Sequence, residues 1–373
     1  MLFPNYKNSA FNVINSFLHY YGVKNNNESL STLDEIINER KYKKIVFIVM
    51  DGMGNNIVNK YIKDDFLGRK NLGPISSVFP STTTAAMNTY YSGKSPKEHA
   101  WLGWSTYFKE CSRTINLFPS TDRYSHDEVK FNYKDLISYE DIFSQIKKVN
   151  NVELRYIIPK FLNSSYDVKT NKYKNLKGMI KSIKKELKSK GNKFIFAYNP
   201  EPDHTEHGKG VFVESTEKIL KNFNKLMEKN FSNLKDDTLI VISADHGQID
   251  IKETIYLEDY PNLLDTLYLL PSIEPRAASF FVKKDKALEF ESYFNEIFKD
   301  KYVLFTREEA LNHNFFGHGE LHKKTSDFLG DYLAVATSNT LFDYKRSDFT
   351  FKGHHAGMSK DEIEIPLIVI KRG

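Results

Sequence analysis

Short, uninterrupted runs of apolar residues recur along the chain, and each run stops at polar residues. The run over residues 45–50 ends at Asp51, and the run over 239–242 ends shortly before Asp245. Runs of this length, rich in β-branched residues, are typical of parallel strands that are covered on both faces. Three further runs have the same character and cover residues 194–198, 332–336 and 367–370. We therefore expect these segments to be strands of a buried sheet.

Helical patterns separate several of these runs, around residues 137–148, 175–190 and 214–231. Strands that alternate with helices predict an α/β fold with a mostly parallel central sheet. In such sheets, ligands bind beyond the carboxyl ends of the strands. The acidic residues that follow the runs, Asp51, Asp203 and Asp245, are therefore expected to meet at one edge of the sheet.

The length of 373 residues suits one large core with an insertion, or two domains. The region 251–345 is rich in aromatic residues, its periodicity is broken, and it separates Asp245 from the last pair of histidines. We interpret it as a smaller inserted cap, with residues 1–250 and 346–373 forming the core.

Composition excludes several classes of protein. No segment approaches the roughly 20 apolar residues that cross a bilayer, and the first residues lack the pattern of a secretion signal. The single cysteine excludes an intrachain disulfide framework and a cysteine-rich zinc module. We therefore expect a cytoplasmic protein without a membrane partner. The net charge of +5 does not require a nucleic-acid polymer and is compatible with small anionic substrates.

Aspartate and histidine dominate the predicted strand ends. A lone aspartate such as Asp51 is often only a helix cap or a turn residue, and Asp203 and His207 alone could be a solvated helix face. Two ionisable groups directly after an apolar strand, as at Asp245 and His246, need partners or a metal. Six or seven such groups suit a site for two divalent ions. Zn²⁺ fits these ligand types best, and Mn²⁺ is an alternative.

A cluster of hydroxyl residues over 81–84 follows Phe79-Pro80 and precedes a predicted helix. The structural interpretation is an N-cap, which needs only one hydroxyl. The functional interpretation places one hydroxyl at the positive end of the helix beside a metal, where it loses its proton more easily and backbone N–H groups hold a phosphoryl group.

Five motifs occur in the order found in one known family. They are Met50-Asp51-Gly52, Phe79-Pro80-Ser81-Thr82-Thr83, Pro202-Asp203-x-x-x-His207, Ala244-Asp245-His246-Gly247 and Gly353-His354-His355-Ala356-Gly357. With this set the chain resembles the alkaline phosphatase superfamily, in its branch of type I phosphodiesterases and nucleotide pyrophosphatases. The resemblance implies an alkaline-phosphatase-like three-layer sandwich with two metals at the carboxyl edge of the central sheet.

The resemblance also implies roles for individual residues. One metal would be held by Asp51, Thr83, Asp245 and His246, and the other by Asp203, His207 and His355. Thr83 would be the nucleophile that forms a covalent phospho-threonine, with Thr82 as the alternative if the register slips by one. His355 is preferred to His354 because of its place in the Gly-x-His pattern.

The chain departs from the family pattern three residues after the nucleophile. Many phosphodiesterases of this branch have Asn at that position, where this chain has Ala86. Asn88 or Asn116 is then a candidate for the missing contact with the phosphate. Trp104 is a candidate for stacking on a planar leaving group, and ordinary packing is the alternative.

The sequence therefore predicts a metal-dependent hydrolase that cleaves a phosphodiester or pyrophosphate bond in a small phosphorylated substrate, with a nucleotide-type substrate as one possibility. The alternatives are a phosphomonoesterase or phosphomutase of the same superfamily, and a metal-free binding module without activity.

Overall fold

The computed structural model describes residues 1–372, which contain two large sheets and two short strand pairs. In chain order the strands are β1 Lys44–Met50, β2 Asn71–Ser76, β3 Ser105–Phe108, β4 Arg113–Asn116, β5 Thr121–Asp122, β6 Glu153–Pro159, β7 Lys169–Tyr173, β8 Lys193–Asn199, β9 Thr238–Ser243, β10 Ile249–Asp250, β11 Glu253–Tyr256, β12 Leu267–Glu274, β13 Ala277–Val282, β14 Tyr302–Thr306, β15 Tyr332–Ala336, β16 Thr340–Asp343, β17 Gly353–His354 and β18 Glu364–Ile370.

The α-helices lie mostly between the strands of the central sheet. In chain order they are α1 Ala10–Tyr20, α2 Ser31–Asn38, α3 Asn55–Tyr61, α4 Thr83–Ser92, α5 Pro96–His99, α6 Ile142–Val149, α7 Leu176–Lys188, α8 Asp203–Lys209, α9 Glu214–Phe231, α10 Pro261–Asp265, α11 Ala287–Phe298, α12 Arg307–Asn312, α13 Thr325–Phe328 and α14 Lys360–Ile363. No helix within residues 1–372 is both long enough and apolar enough to cross a membrane.

The central sheet has seven strands in the order β2-β18-β9-β1-β8-β6-β7. Strands β9, β1, β8, β6 and β7 run parallel, and β18 runs antiparallel to β9 and β2. The prediction of a mostly parallel sheet is therefore confirmed. The final strand runs in the opposite direction because the segment before it lies at the carboxyl edge of the parallel strands, so β18 must lead away from that edge.

Helices pack on both faces of this sheet. On one face, Phe47 of β1 packs against Phe17 of α1 and Tyr90 of α4. Helices α7 and α9 contact each other, and α9 also contacts α3 and α8. Because side chains alternate between the faces of a strand, the two helix groups bury both faces of β1, and every residue of this strand is buried. The α/β fold predicted from the apolar runs and the sandwich implied by the family resemblance are both confirmed.

The second large sheet is antiparallel, in the order β14-β15-β13-β12-β3-β4-β5. It contains β15, so the expectation that residues 332–336 lie in the parallel sheet is wrong. Every residue of β15 is buried, and an apolar run of this kind does not distinguish the two sheet types. The sheet also contains strands β3–β5, which lie outside the proposed cap. The cap boundaries at 251–345 therefore stay a prediction.

A buried ion pair joins the second sheet to the segment that precedes β18. Arg276, at the turn between β12 and β13, donates from Nε to Glu362 Oε1 at 2.7 Å and from Nη2 to Oε2 at 3.0 Å. Both side chains are fully buried. Glu362 also accepts hydrogen bonds from the backbone N–H groups of Gly357 at 2.8 Å and Ser359 at 3.1 Å. The pair therefore fixes the loop that carries His355.

We predict that Glu362→Gln lowers the free energy of unfolding by about 3–5 kcal/mol, because it leaves the charge of Arg276 buried without a counterion. Urea denaturation measures this change. The matched control is Glu364→Gln, because Glu364 forms its only ion pair within residues 1–372 with the exposed Lys360 at 3.8 Å. This substitution should cost less than about 1 kcal/mol. Equal decreases in the free energy of unfolding of the two variants would show that the buried ion pair does not stabilise the fold more than the exposed one.

The pair should also make stability depend on pH. Burial alone would raise the pKa of Glu362, but the charge and hydrogen bonds of Arg276 lower it below its usual 4.5. The stabilisation is therefore present above the unfolded-state pKa and is lost as the pH falls through the folded-state pKa. As the pH falls below about 5, the free energy of unfolding should therefore decrease less in Glu362→Gln than in the native protein.

Candidate metal centre

Three neighbouring strands of the central sheet deliver three aspartates to one edge. Asp51 follows β1, Asp245 follows β9, and Asp203 begins α8 just after β8. Gly52 permits their close approach, because its φ is +71° and a Cβ there would lie 2.8 Å from the Cβ of Asp203. The backbone N–H of Asp203 donates to the carbonyl of Asp51 at 3.0 Å. The parallel strands thus converge as the sequence indicates.

The first group of possible ligands consists of Asp51, Asp245 and His246. Their ligand atoms all lie within 4.8 Å of one another. Nε2 of His246 is 3.4 Å from Asp51 Oδ1 and 3.5 Å from Asp245 Oδ2. Oδ1 of Asp245 accepts from the N–H groups of Gly52 at 3.1 Å and His246 at 3.0 Å. Its Oδ2 is buried without a hydrogen-bond partner, so it is free to bind a cation.

The second group consists of Asp203, His207 and His355, again within 4.8 Å. Nε2 of His207 lies 3.2 Å from Asp203 Oδ1, and Nε2 of His355 lies 3.7 Å from the same oxygen. The rings of His246 and His355 stack with their centroids 3.8 Å apart, so the two groups are adjacent. His354 is in neither group, and its Nδ1 bonds the backbone of His355.

The three histidines of the groups are held in the same tautomer. Nδ1 of each ring contacts a backbone carbonyl, which can only accept, and so Nδ1 carries the hydrogen. The carbonyls belong to Gly247 for His246 at 3.1 Å, Gly353 for His207 at 2.9 Å and Ser81 for His355 at 3.1 Å. Nε2 of each ring then faces the carboxylates and is the nitrogen that can bind a metal, which is the arrangement of metal-binding histidines.

The site has an excess of negative charge. Burial raises the pKa of Asp51 well above its ordinary value, and the charges of Asp245 and Asp203 raise it further. Within residues 1–372, the only ion-pair partners of these three carboxylates are histidines. Buried carboxylates without lysine or arginine partners require other cations. The donor set, the unpartnered oxygen and the tautomers therefore fit two divalent ions.

Thr83 lies between the carboxylates and a wide cleft. It is the first residue of α4, and its Oγ1 is 3.3 Å from Asp51 Oδ1 and 3.1 Å from His246 Nε2. Thr82 faces away from this centre, because its Oγ1 donates to Oε1 of Glu274 in β12 at 2.7 Å. Of the two threonines considered from the sequence, the structure places Thr83 beside the candidate ligands.

A cleft of about 800 Å³ opens beside Asp51, Thr83 and Asp203. Its walls are mainly apolar and aromatic, and include Met87, Tyr91, Trp104, Phe118, Phe161, Leu162, Leu176 and Ile219. Trp104 is 44% exposed and meets Phe118 edge to face, with 5.5 Å between the ring centroids. Such a surface can hold a flat or apolar group next to a reacting centre.

The two asparagines proposed as substrate contacts lie elsewhere. Asn88 is buried, donates to the carbonyl of Thr84 at 2.7 Å and accepts from the hydroxyl of Tyr139. Asn116 accepts from Ser105 Oγ at 2.7 Å within the second sheet. Neither lines the cleft, and their contact with a substrate stays a prediction.

Three residues that sequence reasoning missed support the site. The hydroxyl of Tyr198 donates to Asp51, and the side-chain amide of Gln248 donates to Asp203. Glu274 accepts from Thr82 and also from the backbone N–H of Trp104 at 2.7 Å. Tyr198 ends a predicted strand and Gln248 follows a recognised motif, so position gave a signal for both. Glu274 has no such local signal.

A comparison with protein-family models matches residues 45–358 to type I phosphodiesterase/nucleotide pyrophosphatase. The match covers both candidate ligand groups and Thr83. The chain belongs to this family. The resemblance to the alkaline phosphatase superfamily drawn from the five motifs is thereby confirmed. A search of curated proteins finds no match.

Solved structures of proteins with two different activities share the fold of this chain. Human ectonucleotide pyrophosphatase/phosphodiesterase 5 aligns with a TM-score of 0.65 at 14% identity, covering 88% of each chain. An inactive variant of the murine protein, solved with AMP, gives 0.64 at 16% identity, covering 88% of this chain and 87% of that one. Phosphonoacetate hydrolase from Sinorhizobium meliloti, with phosphonoacetate bound, gives 0.64 at 14% identity, covering 87% and 89%.

We predict that the protein binds two divalent ions per chain after loading with Zn²⁺ and removal of excess metal. Elemental analysis of the native protein and of Asp245→Asn measures the stoichiometry. The substitution should weaken binding at the first group at least about tenfold, since it removes a ligand charge. Asp327→Asn, whose carboxylate pairs with Lys109 and Lys324 in a distant salt bridge, should still bind two. Fewer than one equivalent in the native protein would exclude a two-metal site.

Proposed function

We propose that this protein hydrolyses phosphodiester or pyrophosphate bonds in small molecules, with Thr83 as the nucleophile. The observation that carries the proposal is the position of Thr83 Oγ1, 3.1 Å from His246 Nε2 and 3.3 Å from Asp51 Oδ1, at the wall of the cleft. The two solved relatives bound to AMP and to phosphonoacetate support a small phosphorus-containing substrate.

The residues of the site are suited to two successive displacements at phosphorus. Thr83 Oγ1 forms a bond to phosphorus while the bond to the leaving oxygen breaks, and the leaving group departs as an alcohol or phosphate. Water then attacks the phospho-threonine, which releases a phosphate ester and restores the Thr83 hydroxyl. Because Thr83 is the first residue of α4, the free N–H groups of that helix end face the transferred phosphoryl group.

We propose that Asp51, Asp245 and His246 hold one divalent ion together with Thr83, and that Asp203, His207 and His355 hold the other. Zn²⁺ suits three histidines and three carboxylates best, and Mn²⁺ is the alternative. When bound, the two ions supply Lewis acidity that favours the ionised hydroxyl and neutralises charge on the phosphoryl oxygens. Tyr198 and Gln248 orient Asp51 and Asp203 through their hydrogen bonds.

The aromatic cleft is proposed to bind the leaving group or the other ester substituent. Trp104 presents a half-exposed ring on the wall of the cleft, close to Phe118. Flat apolar groups gain contact area there, whereas a bare phosphate does not. A substrate with two substituents on phosphorus therefore uses more of this site than a monoester does.

We predict that Thr83→Ala lowers kcat at least about 1,000-fold, because it removes the attacking atom. Steady-state hydrolysis of bis(p-nitrophenyl) phosphate measures the effect, and the metal content should remain at least half that of the native protein. Thr82→Ala is the matched control, since Thr82 Oγ1 contacts Glu274 instead of the ligand groups. Full activity of Thr83→Ala together with loss in Thr82→Ala would move the nucleophile by one residue.

We predict that kcat/KM is at least about tenfold higher for bis(p-nitrophenyl) phosphate than for p-nitrophenyl phosphate, because only the diester places a second ring in the apolar cleft. Parallel assays with Zn²⁺ and with Mn²⁺ measure the ratio.

The same assays separate the alternatives. A reversed ratio would support a phosphomonoesterase, and transfer of phosphate to an added alcohol without release of phosphate would support a phosphomutase. A metal-loaded protein that hydrolyses neither compound nor pyrophosphate bonds in a dinucleotide would support the binding module.

A further inference from the structure

Positive charge is concentrated in one segment of the chain. Residues 160–190 contain ten lysines, no arginine and only two acidic residues, Asp167 and Glu186. The net charge of the whole chain is +5, so this segment alone is more positive than the complete protein. The remainder of the molecule is therefore net negative, and the protein has a strong electrostatic asymmetry.

The ten lysines are free of acidic partners. Nine are exposed and Lys184 is half-buried, and among residues 1–372 none of the ten forms an ion pair with a carboxylate. The two acidic residues are engaged elsewhere, because Asp167 pairs with Lys147 at 2.6 Å and the buried Glu186 pairs with Arg155 at 3.0 Å. The charge of the lysines is consequently uncompensated within the molecule.

Most of these lysines lie on or beside the outer side of α7, and we call the surface formed by the ten the lysine face. Lys181, Lys184, Lys185 and Lys188 line one shallow depression on the helix, and Lys169, Lys185 and Lys190 line a second one beside it. The other members are Lys177 on α7 and Lys160, Lys172 and Lys174 in the segment before it. Helix α7 is about 20 Å long, and its apolar side, with Met179 and Ile183, is buried in the core. The helix therefore lies flat on the protein with its lysines outward.

The lysine face begins at the mouth of the cleft. Leu176, the first residue of α7, and Lys174, two residues before it, line the cleft together with Phe161 and Leu162. Phe161 follows Lys160 directly, and its side chain is 72% exposed, more than any other aromatic ring in residues 1–372. An exposed aromatic ring beside a lysine, next to a basic helix, is the arrangement by which proteins attach to the interface of a bilayer.

We propose that the lysine face docks the protein on the surface of an anionic phospholipid membrane, with Phe161 inserted at the interface and the cleft opening toward it. The binding is peripheral and electrostatic. It does not depend on the proposed hydrolysis, since vesicle binding is measured without substrate.

The details of the face favour a lipid surface over a single-stranded nucleic acid. All ten cations are lysines, whose ammonium groups are compact, strongly hydrated point charges without a fixed binding geometry, whereas arginine binds individual phosphates through two parallel hydrogen bonds. The face also has a single fully projecting ring, whereas stacking of successive bases requires a row of them. Tyr173, the aromatic residue at the end of β7, is buried.

Co-sedimentation with vesicles tests the proposal. Vesicles of phosphatidylcholine alone are compared with vesicles that contain about 30% phosphatidylserine. We expect binding only to the anionic vesicles, weakened at least tenfold as the salt rises from about 50 to about 200 mM. The variant Lys177→Gln/Lys181→Gln/Lys185→Gln/Lys188→Gln should bind at least tenfold more weakly, and Phe161→Ala about tenfold more weakly.

The matched control removes the same charge from other surfaces. Lys130, Lys252, Lys323 and Lys345 are exposed and lie outside the lysine face, and the variant with all four changed to Gln should bind within twofold of the native protein. Both quadruple variants should hydrolyse soluble bis(p-nitrophenyl) phosphate at the native rate within about twofold, because none of these lysines lies at the ligand groups.

Three results would overturn the proposal. They are the absence of binding to anionic vesicles at low salt, equal binding to neutral and anionic vesicles, and equal losses in the two quadruple variants. A single-stranded RNA oligonucleotide is tested in parallel. If it binds through the lysine face while the vesicles do not, the partner of this face is a nucleic acid and the membrane assignment is wrong.

Discussion

The repulsion between two buried carboxylates and a third, partly buried one is the constraint on which the rest of the site depends. Asp51, Asp203 and Asp245 follow three adjacent strands and meet at a place where no lysine or arginine of residues 1–372 pairs with them. Without bound cations such a cluster destabilises the folded protein, because each charge raises the energy of the others. The fold nonetheless holds the histidine rings with their lone pairs turned inward. These features together form a binding site for cations, and the cations have to come from outside the polypeptide.

The sequence indicates this part of the structure well, for a physical reason. Parallel strands in register end at a common edge, so residues directly after apolar runs become neighbours although the runs lie far apart in the chain. Strands β1 and β9 pair directly, which brings Asp51 to Asp245. The local sequence pattern and the strand topology together are enough to predict that such residues are neighbours. The catalytic role of Thr83 and the metal ligands remain predictions until activity and metal content are measured.

Other features depend on contacts that no local pattern encodes. The apolar run of β15 resembles a parallel strand because burial on both faces selects the same residues in either sheet type. Asn88 lies five residues after Thr83 in α4, yet its amide is satisfied by Thr84 and by Tyr139 from a distant loop. The lysines of residues 160–190 are visible in the sequence, but only the fold shows that Lys174, two residues before α7, lines the cleft.

Glu274 links two parts of the protein that have different tasks. One carboxylate oxygen of this second-sheet residue holds Thr82, which immediately precedes Thr83, and also the backbone of Trp104 on the cleft wall. The aromatic wall and the residue before Thr83 are therefore held by the same carboxylate oxygen. Remodelling the cleft for a new ligand, whether by mutation or by design, would have to preserve this shared anchor or displace the threonine along with it.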